Sequence, residues 1–447
     1  MEAPATADGA SRGIGPATLT ALLVSNMVGT GVFTSLGFQA RDLHTTFALL
    51  LLWVVGGVAA ACGALSYAEL GAALPRSGGE YVYLGRAYHP LVGFLGGWVS
   101  MTAGFAAPIA LAGIAFGRYV GAVIPVAPLP ASLAVVGAAA LLHATDLTAG
   151  RRVQVALTAA NLLLVAGFVG AGLARGAQPV PLAPSAAAWR EVVSPAFAVS
   201  LVYVGYAYTG WNAAGYVAGE VRDPRRTVPR AAVLGTAVVA LAYVLLNYTF
   251  LRLVPLPDLA GVLEVGALAA RHAFGPAGAT VVSATIALLL VATVSAMVLA
   301  GSRVTQAVAG GMRRAGVLST RTAAGVPRNA VLAQAALVAA LLLTNSFERV
   351  MAYTGFTLTL TSTLAVVALF VLRVREPALP RPYRAWGYPV TPLVYVALSL
   401  WTLGFVLAER PRESLLGLAT VLAGVPAWFA LRGRASAPAP AGAGADA

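Results

Sequence analysis

The chain has 447 residues, of which 59% are hydrophobic and only 10% are charged, and its mean hydropathy is +0.81. A water-soluble domain of this size does not need so much apolar sequence, so the composition excludes one and predicts a membrane protein. The net charge of +13 comes from arginines dispersed between apolar segments, with no lysine, and does not predict binding to nucleic acid.

The sequence offers little for metal, redox or catalytic chemistry. Its single cysteine, Cys62, excludes an intrachain disulfide, and its four histidines lack the spacing of a metal site. No nucleophile–base pair and no pair of midplane carboxylates can be recognised. We therefore predict no metal, no cofactor and no enzymatic activity.

Apolar runs long enough to cross a bilayer recur along the chain. We predict one domain over residues 15–434, between a cytoplasmic N-terminal tail, 1–14, and a disordered Ala/Pro/Gly-rich tail, 435–447. The twelve predicted spans are 16–40, 46–72, 91–122, 128–146, 152–174, 192–219, 230–254, 277–311, 330–346, 350–373, 388–408 and 414–432.

The distribution of arginine predicts the orientation, because basic residues are enriched at the cytoplasmic ends of membrane helices. With the N-terminus inside, nineteen arginines lie at cytoplasmic ends and eight lie outside, while Arg118 and Arg303 fall within spans. The asymmetry predicts a multi-pass protein of the cytoplasmic membrane with both termini in the cytoplasm.

The first ten spans divide into two halves of five, about 15–175 and 190–375, and the last two spans, about 388–432, are an addition. Because five crossings is an odd number, the second half enters the membrane from the opposite face, and a repeat between the halves must be inverted. The predicted fold is all-α and polytopic, with discontinuous spans 1 and 6.

Span 1 is interrupted by glycine in the sequence N-M-V-G-T-G-V-F, residues 26–33. A break here would free the N–H groups of Thr30, Gly31 and Val32 at the start of a second half-helix, where the helix dipole favours an anion. A substrate carboxylate fits that position. The alternative is that Gly29 and Gly31 only permit close packing of helices.

Span 6 is interrupted in the sequence G-Y-A-Y-T-G-W-N-A-A-G, residues 205–215. A break near Gly210 would free the carbonyls of Tyr206, Ala207 and Thr209, which favour a cation such as a substrate ammonium. The two breaks together would match a zwitterion. They point to a transporter site near the bilayer midplane.

The aromatic residues of this segment, Tyr206, Tyr208 and Trp211, have an alternative interpretation as an interfacial belt. Their central depth in the span argues against it. No acidic side chain lies at the predicted midplane site, which favours a substrate with a neutral side chain over arginine or a polyamine.

Three ionisable residues, Glu69, Glu220 and Arg303, lie near the predicted cytoplasmic ends of spans 2, 6 and 8. Charged groups within membrane spans carry a high cost in free energy, so the position of each of these residues needs an explanation. One interpretation is a salt-bridge network that gates the pathway, and the other is simple placement at the interface.

Four segments in order resemble the amino acid–polyamine–organocation superfamily, specifically its bacterial amino acid permeases and their L-type relatives. They are residues 26–33, 65–84, 206–231 and 300–304, and the third, Y-A-Y-T-G-W-N-A-A-G-Y-V-A-G-E-V-R-D-P-R-R-T-V-P-R-A, is the most specific. The resemblance covers nearly all of the chain. It implies a LeuT-like five-plus-five inverted repeat that moves amino acids by alternating access, as an exchanger or coupled to protons.

The resemblance also implies roles for single residues. The backbone of Thr30 and Gly31 would hold the substrate carboxylate, and the carbonyls of Met27, Tyr206 and Thr209 would hold its amine. The Tyr206 side chain would act as an aromatic lid above the substrate.

Asn212 matches a polar position of the family that links substrate binding to gating, with Trp211 beside it.

Two residues depart from the family pattern. Asn161 stands where many relatives carry a lysine, which puts proton coupling through that lysine in doubt. Asn161 would either hydrogen-bond the unwound part of span 1 or make an ordinary polar contact between helices. Thr209 stands where relatives often have aspartate or another small residue.

The sequence therefore predicts a transporter of neutral L-amino acids, by exchange or proton-linked uptake. The alternatives are a transporter of cationic amino acids or amines, and an amino acid sensor that does not transport. The partners we expect are the substrate and the lipid bilayer, and the sequence leaves open whether the protein forms a homodimer.

Overall fold

The computed structural model describes residues 14–29, 31–74, 78–145, 151–212, 221–322, 325–344 and 346–432, without the side chains of 151–158, Pro224 and Arg313. Within these ranges the chain is helical, and its one β-type pairing is an isolated parallel bridge between Ile14 and Val221.

Nineteen α-helices follow one another in the described residues. They are α1 (Pro16–Met27), α2 (Gly31–Thr34), α3 (Leu36–Asp42), α4 (Thr46–Ala73), α5 (Glu80–Ala87), α6 (Pro90–Val99), α7 (Ala107–Gly121), α8 (Pro128–Thr145), α9 (Arg151–Arg175), α10 (Ala186–Val192), α11 (Pro195–Ala207), α12 (Pro224–Leu253), α13 (Leu256–Leu259), α14 (Val265–Gly310), α15 (Gly316–Ser319), α16 (Arg328–Leu342), α17 (Phe347–Arg375), α18 (Val390–Glu409) and α19 (Pro411–Leu431).

Most of these helices suit a bilayer. Nine helical segments of the described residues are long and apolar enough to cross one, and three shorter apolar helices lie at the fifth, sixth and ninth predicted spans. Large apolar side chains such as Leu163, Leu173 and Leu241 are more than half exposed on the outside of the bundle. Hydrocarbon can cover such a surface and water cannot do so favourably, so the protein is a multi-pass membrane protein.

The predicted break in span 1 is confirmed. α1 ends at Met27, Val28 has an extended backbone (φ −74°, ψ 93°), and α2 begins at Gly31. α2 and α3 form one bent half-helix, because Ser35 between them keeps an α-helical backbone and donates its N–H to the Gly31 carbonyl.

The predicted interruption of span 6 is also present. α11 ends at Ala207, and residues 208–212 form a turn in which Gly210 has φ +108°, a conformation that only glycine adopts readily. Residues 213–220, which include the predicted second half of the span, lie outside the described residues.

Two further irregularities were not predicted. Between α6 and α7 the backbone forms a π-helix over Ser100–Ala106. The ring of Pro108 would clash with the carbonyl four residues earlier in a regular α-helix, and the wider π turn relieves that clash. α14 is kinked at Gly275 (φ +73°), immediately before Pro276.

The two broken spans touch where their helices end. A Cβ atom on Gly31 would lie 2.7 Å from the Cα atom of Ala207, and one on Gly210 would lie 2.6 Å from the carbonyl oxygen of Asn26. Main chain therefore packs directly on main chain at both points. Glycine is required at both positions because any side chain would push the two breaks apart.

This contact predicts different effects for two neighbouring glycines. We expect Gly31→Ala to lower the unfolding temperature of the detergent-solubilised protein, since overpacking against main chain costs ~1–3 kcal/mol. Gly29→Ala is the matched control, because within the described residues its Cβ would meet only the Met27 carbonyl, at 3.9 Å. Equal unfolding temperatures for the two variants would contradict the contact.

Candidate functional site

A tyrosine hydroxyl of α12 joins the two breaks. The Tyr243 hydroxyl oxygen lies 2.7 Å from the Met27 carbonyl oxygen and 3.1 Å from the Ala207 carbonyl oxygen, so one proton is shared between them. Met27 ends α1 and Ala207 ends α11, and carbonyls at a helix C-terminus lack helical donors. A neutral protein donor thus occupies two of the carbonyls for which the sequence predicts a substrate ammonium.

The Tyr206 carbonyl is also occupied in this conformation. It accepts the Thr209 N–H at 3.0 Å and the Thr209 hydroxyl at 2.7 Å. An arriving ammonium could replace the hydroxyl, which has a second lone pair and a rotatable proton. The roles of Tyr206 as amine acceptor and lid, and of the Thr209 carbonyl, stay predictions.

The predicted carboxylate subsite is described only in part, because Thr30 lies outside the described residues. Gly31 and Val32 begin α2 and are buried. The first N–H groups of a helix have no acceptor within that helix, and Gly31 and Val32 hold this position in α2. The subsite stays a prediction.

Asn161 of α9 contacts the unwound part of span 1. Its Nδ2 atom donates to the Val28 carbonyl oxygen at 3.0 Å, which is the hydrogen bond the sequence left as one of two alternatives. Its Oδ1 atom is buried without a hydrogen-bond partner in the described part of the chain. Asn161 therefore supplies a third neutral donor to main chain that the breaks have freed.

A cavity of about 90 Å³ adjoins the second break. Its lining comes from α4, α11, α17, α18 and the 208–211 turn, and it includes Gly205, Tyr206 and Thr209. The sequence predicts a substrate site formed by both breaks, whereas the described lining of this cavity includes no residue of α1 or α2. The lining residues that the structure describes are all uncharged, and the space suffices for several water molecules.

Trp211 and Asn212 leave the turn in different directions. The Trp211 ring packs edge-on against Tyr67 and Tyr395, with centroids 4.8 Å and 5.7 Å away. The Asn212 Nδ2 atom donates to the carboxylate of Glu80 at 3.2 Å, and the Tyr67 hydroxyl donates to the same oxygen at 3.0 Å. Glu80 is not among the site residues that the sequence predicts.

Glu69 lies in a buried ionic cluster at the end of α4. Arg373 binds both of its oxygens, at 2.9 Å and 2.6 Å, and the Nε atom of Arg381 lies 3.4 Å from one of them. The backbone N–H of Ala385 adds a fourth contact at 2.6 Å. This cluster ties α4 to the end of α17 and to the loop that follows it.

The structure gives Glu69 different salt-bridge partners from those of the predicted network of Glu69, Glu220 and Arg303. Within the described residues, the salt bridges of Glu69 go to Arg373 and Arg381, while Arg303 is exposed on α14 and contributes to none of the salt bridges. The loop after α17 folds back onto α4, which brings its arginine closer than one on α14. Glu220 lies outside the described residues.

A second ionic cluster lies at the opposite end of the bundle and was not predicted. Glu348, in the first turn of α17, pairs with Arg41 at 3.0 Å and with Arg410 at 2.8 Å. The Tyr203 hydroxyl lies 3.4 Å from the same carboxylate. The half-helix after the first break is thereby attached to α17 and to the start of α19.

An all-helical, multi-pass membrane protein with two broken helices that meet at their carbonyl ends has the architecture of a membrane transport protein. The model of the amino acid permease family matches residues 14–416 of the chain. The chain therefore belongs to the amino acid permease family, and it is a transporter and not an enzyme.

Relatives of known function agree with this assignment. The chain is 26% identical to the mouse Asc-type amino acid transporter 1 over 93% of its length and 80% of the relative's. It is 28% identical to the rat large neutral amino acids transporter small subunit 2, with the same shares covered. It is 25% identical to the serine/threonine exchanger SteT of Bacillus subtilis, over 96% of this chain and 98% of the exchanger.

The shared hydroxyl gives a prediction for Tyr243→Phe. Two buried carbonyls would lose their donor, at ~1–3 kcal/mol, so we expect amino acid uptake into proteoliposomes to fall about tenfold or more. The matched control is Tyr208→Phe. The Tyr208 hydroxyl donates to the Trp53 carbonyl at 3.0 Å, which lies inside the continuous helix α4 and keeps its helical donor. Equal losses in the two variants would argue against a special role for Tyr243.

Glu69 of α4, and Glu376 in the loop after α17, give a second matched pair of variants. Glu69→Gln would leave two arginines without a counter-charge, and breaking a buried pair costs ~3–5 kcal/mol. Glu376→Gln removes a pair with Arg86 whose side chains are 27% and 57% exposed, and such pairs contribute ~0–1 kcal/mol. Thermal unfolding in detergent should show a large loss for the first variant only, and similar losses would contradict the difference in burial.

Proposed function

We propose that the protein transports neutral L-amino acids across the cytoplasmic membrane by alternating access, and that exchange is its main mode. The supporting observation is the meeting of the two breaks, where neutral donors satisfy carbonyls at the ends of α1 and α11. A substrate ammonium can take over such carbonyls from a hydroxyl without leaving a charge unpaired.

The proposed substrate site has two parts. The N–H groups from Thr30 to Val32 bind the carboxylate, and the carbonyls of Met27, Tyr206 and Thr209 bind the amine. Support comes from the separate ends of α1 and α2 and from the end of α11 at Ala207. Tyr206 closes over the substrate, and Ala207 and Gly210 shape the turn beside it.

A neutral substrate side chain is supported by the surroundings and by the relatives. Among the described residues, the lining of the adjoining cavity contains no charged side chain. The names of the relatives specify large neutral amino acids in one case and serine and threonine in another. A cationic side chain would need an acidic partner, which this lining does not offer.

Asn161 supports exchange over proton-linked uptake, because an amide side chain does not titrate and cannot carry a coupled proton at this position. It already donates to the Val28 carbonyl. The proposal places this chemistry in a LeuT-like five-plus-five inverted repeat with twelve spans and cytoplasmic termini. The opposing ionic clusters of Glu69 and Glu348 then lie on opposite sides of the membrane.

Counterflow in proteoliposomes tests the proposal. Vesicles loaded with unlabelled L-serine should accumulate labelled L-serine, L-alanine or L-leucine in a saturable way, and vesicles without internal amino acid should accumulate much less. Labelled L-arginine should not enter. The rates should be the same with and without sodium and with an imposed pH gradient.

Other outcomes have clear meanings. No counterflow for any amino acid, from protein that unfolds cooperatively, would contradict transport. Amino acids that raise the unfolding temperature without any counterflow would support a sensor. Preferential entry of L-arginine would contradict the neutral substrate class.

A further inference from the structure

The carboxylate of Glu80 lies at a junction of three parts of the chain. Glu80 is the first residue of α5 and is 6% exposed. It packs against α6, because a Cβ on Gly96 would lie 3.4 Å from its Cβ atom. Gly78 and Gly79 precede it with φ values of +138° and +51°, which turn the chain so that α5 begins at Glu80. A carboxylate is also stabilised at a helix N-terminus.

One oxygen of that carboxylate connects α4 to the second break. Oε1 accepts the Tyr67 hydroxyl of α4 at 3.0 Å and the Nδ2 atom of Asn212 at 3.2 Å. Tyr67 is 1% exposed and packs edge-on against the neighbouring Trp211. Trp211 and Asn212 thus add a ring contact and a shared oxygen atom to the hydrogen bond by which the Tyr208 hydroxyl fixes the turn after α11 to α4.

We propose that Glu80 is a positioning residue for the transport cycle, whose carboxylate holds Asn212 and so keeps the broken end of span 6 against α4. Release of this bond accompanies opening of the pathway at the end that the arginine distribution predicts to be cytoplasmic. The inference rests on the proposed transport function, which it deepens by adding a gate residue.

The chemistry of the bond suits a contact that forms and breaks. Tyr67 and Asn212 are neutral donors, and a hydrogen bond to a charged acceptor changes an equilibrium by roughly tenfold to a hundredfold. That is enough to favour one conformation over another without locking it.

Swapping the carboxylate of Glu80 and the amide of Asn212 between the two positions tests the proposal. Asn212→Asp would put a second carboxylate against Glu80, so we expect L-serine counterflow to fall about tenfold or more. Glu80→Gln keeps an acceptor oxygen and should lose only about twofold to fivefold. In the double variant Glu80→Gln/Asn212→Asp, the new amide can donate to the new carboxylate. We expect it to recover at least about fivefold over Asn212→Asp alone.

A matched control distinguishes a specific interaction between Glu80 and Asn212 from a general effect of removing one negative charge. Glu376→Gln/Asn212→Asp also removes one acidic residue, but from the exposed pair with Arg86, and should not recover activity. Recovery in this control, or failure to recover in the Glu80 double variant, would overturn the proposal.

The apparent KM on each face of oriented vesicles distinguishes positioning from folding. Loss of folded protein lowers the maximal rate and leaves KM unchanged. We expect Glu80→Ala to change the ratio of the two KM values at least threefold, and Tyr67→Phe, which keeps the bond to Asn212, to change it less. An unchanged ratio in Glu80→Ala, or equal changes in both variants, would count against the proposal.

The wild-type protein separates this inference from the function on which it rests. If the wild type is active but Glu80→Gln does not restore activity to Asn212→Asp, the result contradicts the role of Glu80 and leaves the proposed function standing. A wild type without counterflow would contradict the proposed function and this inference together.

Discussion

Unpaired main chain in a bilayer is the constraint on which the rest of this structure depends. Each break in a membrane helix frees carbonyl and N–H groups, and hydrocarbon offers them no partner. Leaving one such group buried and unpaired costs several kcal/mol. The fold supplies neutral donors for the freed carbonyls of Met27, Ala207, Val28 and Tyr206, from Tyr243, Asn161 and Thr209. These freed carbonyls are therefore paired without a substrate.

The same constraint couples the two broken helices to each other. Gly31 lies against Ala207, and Gly210 lies against Asn26, with no side chain between them. The Tyr243 hydroxyl then shares its proton between one carbonyl from each break. A displacement of one helix end changes the hydrogen bonding of the other. A substrate bound at either break, as proposed, would thereby influence both, which is what coupling between binding and movement requires.

Local sequence was sufficient for some parts of the fold and of the site. Apolar length set the limits of α4 and α8, predicted as 46–72 and 128–146 and observed as Thr46–Ala73 and Pro128–Thr145. Glycines within apolar runs located both breaks, because the cost of unpaired main chain is a local property. The hydrogen bond of Asn161 to the unwound segment was one of two alternatives, and the structure selects it.

Long-range partners could not be predicted in this way. Glu69 pairs with Arg373, which is 304 positions away, and nothing near Glu69 distinguishes that arginine from Arg303. Tyr243 looks like one more aromatic residue in an apolar helix until α12 is packed against the two breaks. The π-helix before Pro108 did have a local signal, a proline in the middle of a predicted span, which the span prediction did not use.

The two ends of the bundle are held by contacts of different strength, and that difference has a consequence for movement. The Glu69 cluster combines a carboxylate side chain that is 2% exposed with arginines that are 21% and 7% exposed. The contacts of Glu348 involve arginine side chains that are 44% and 32% exposed, where water weakens ion pairs. Strong contacts cost more free energy to break than weak ones, so we expect α4 and the loop after α17 to stay together in a conformational change. The half-helix after the first break is held to α17 by the exposed Arg41 pair and also by the stacked rings of Phe38 and Phe347, so breaking the Arg41 pair alone would not release it.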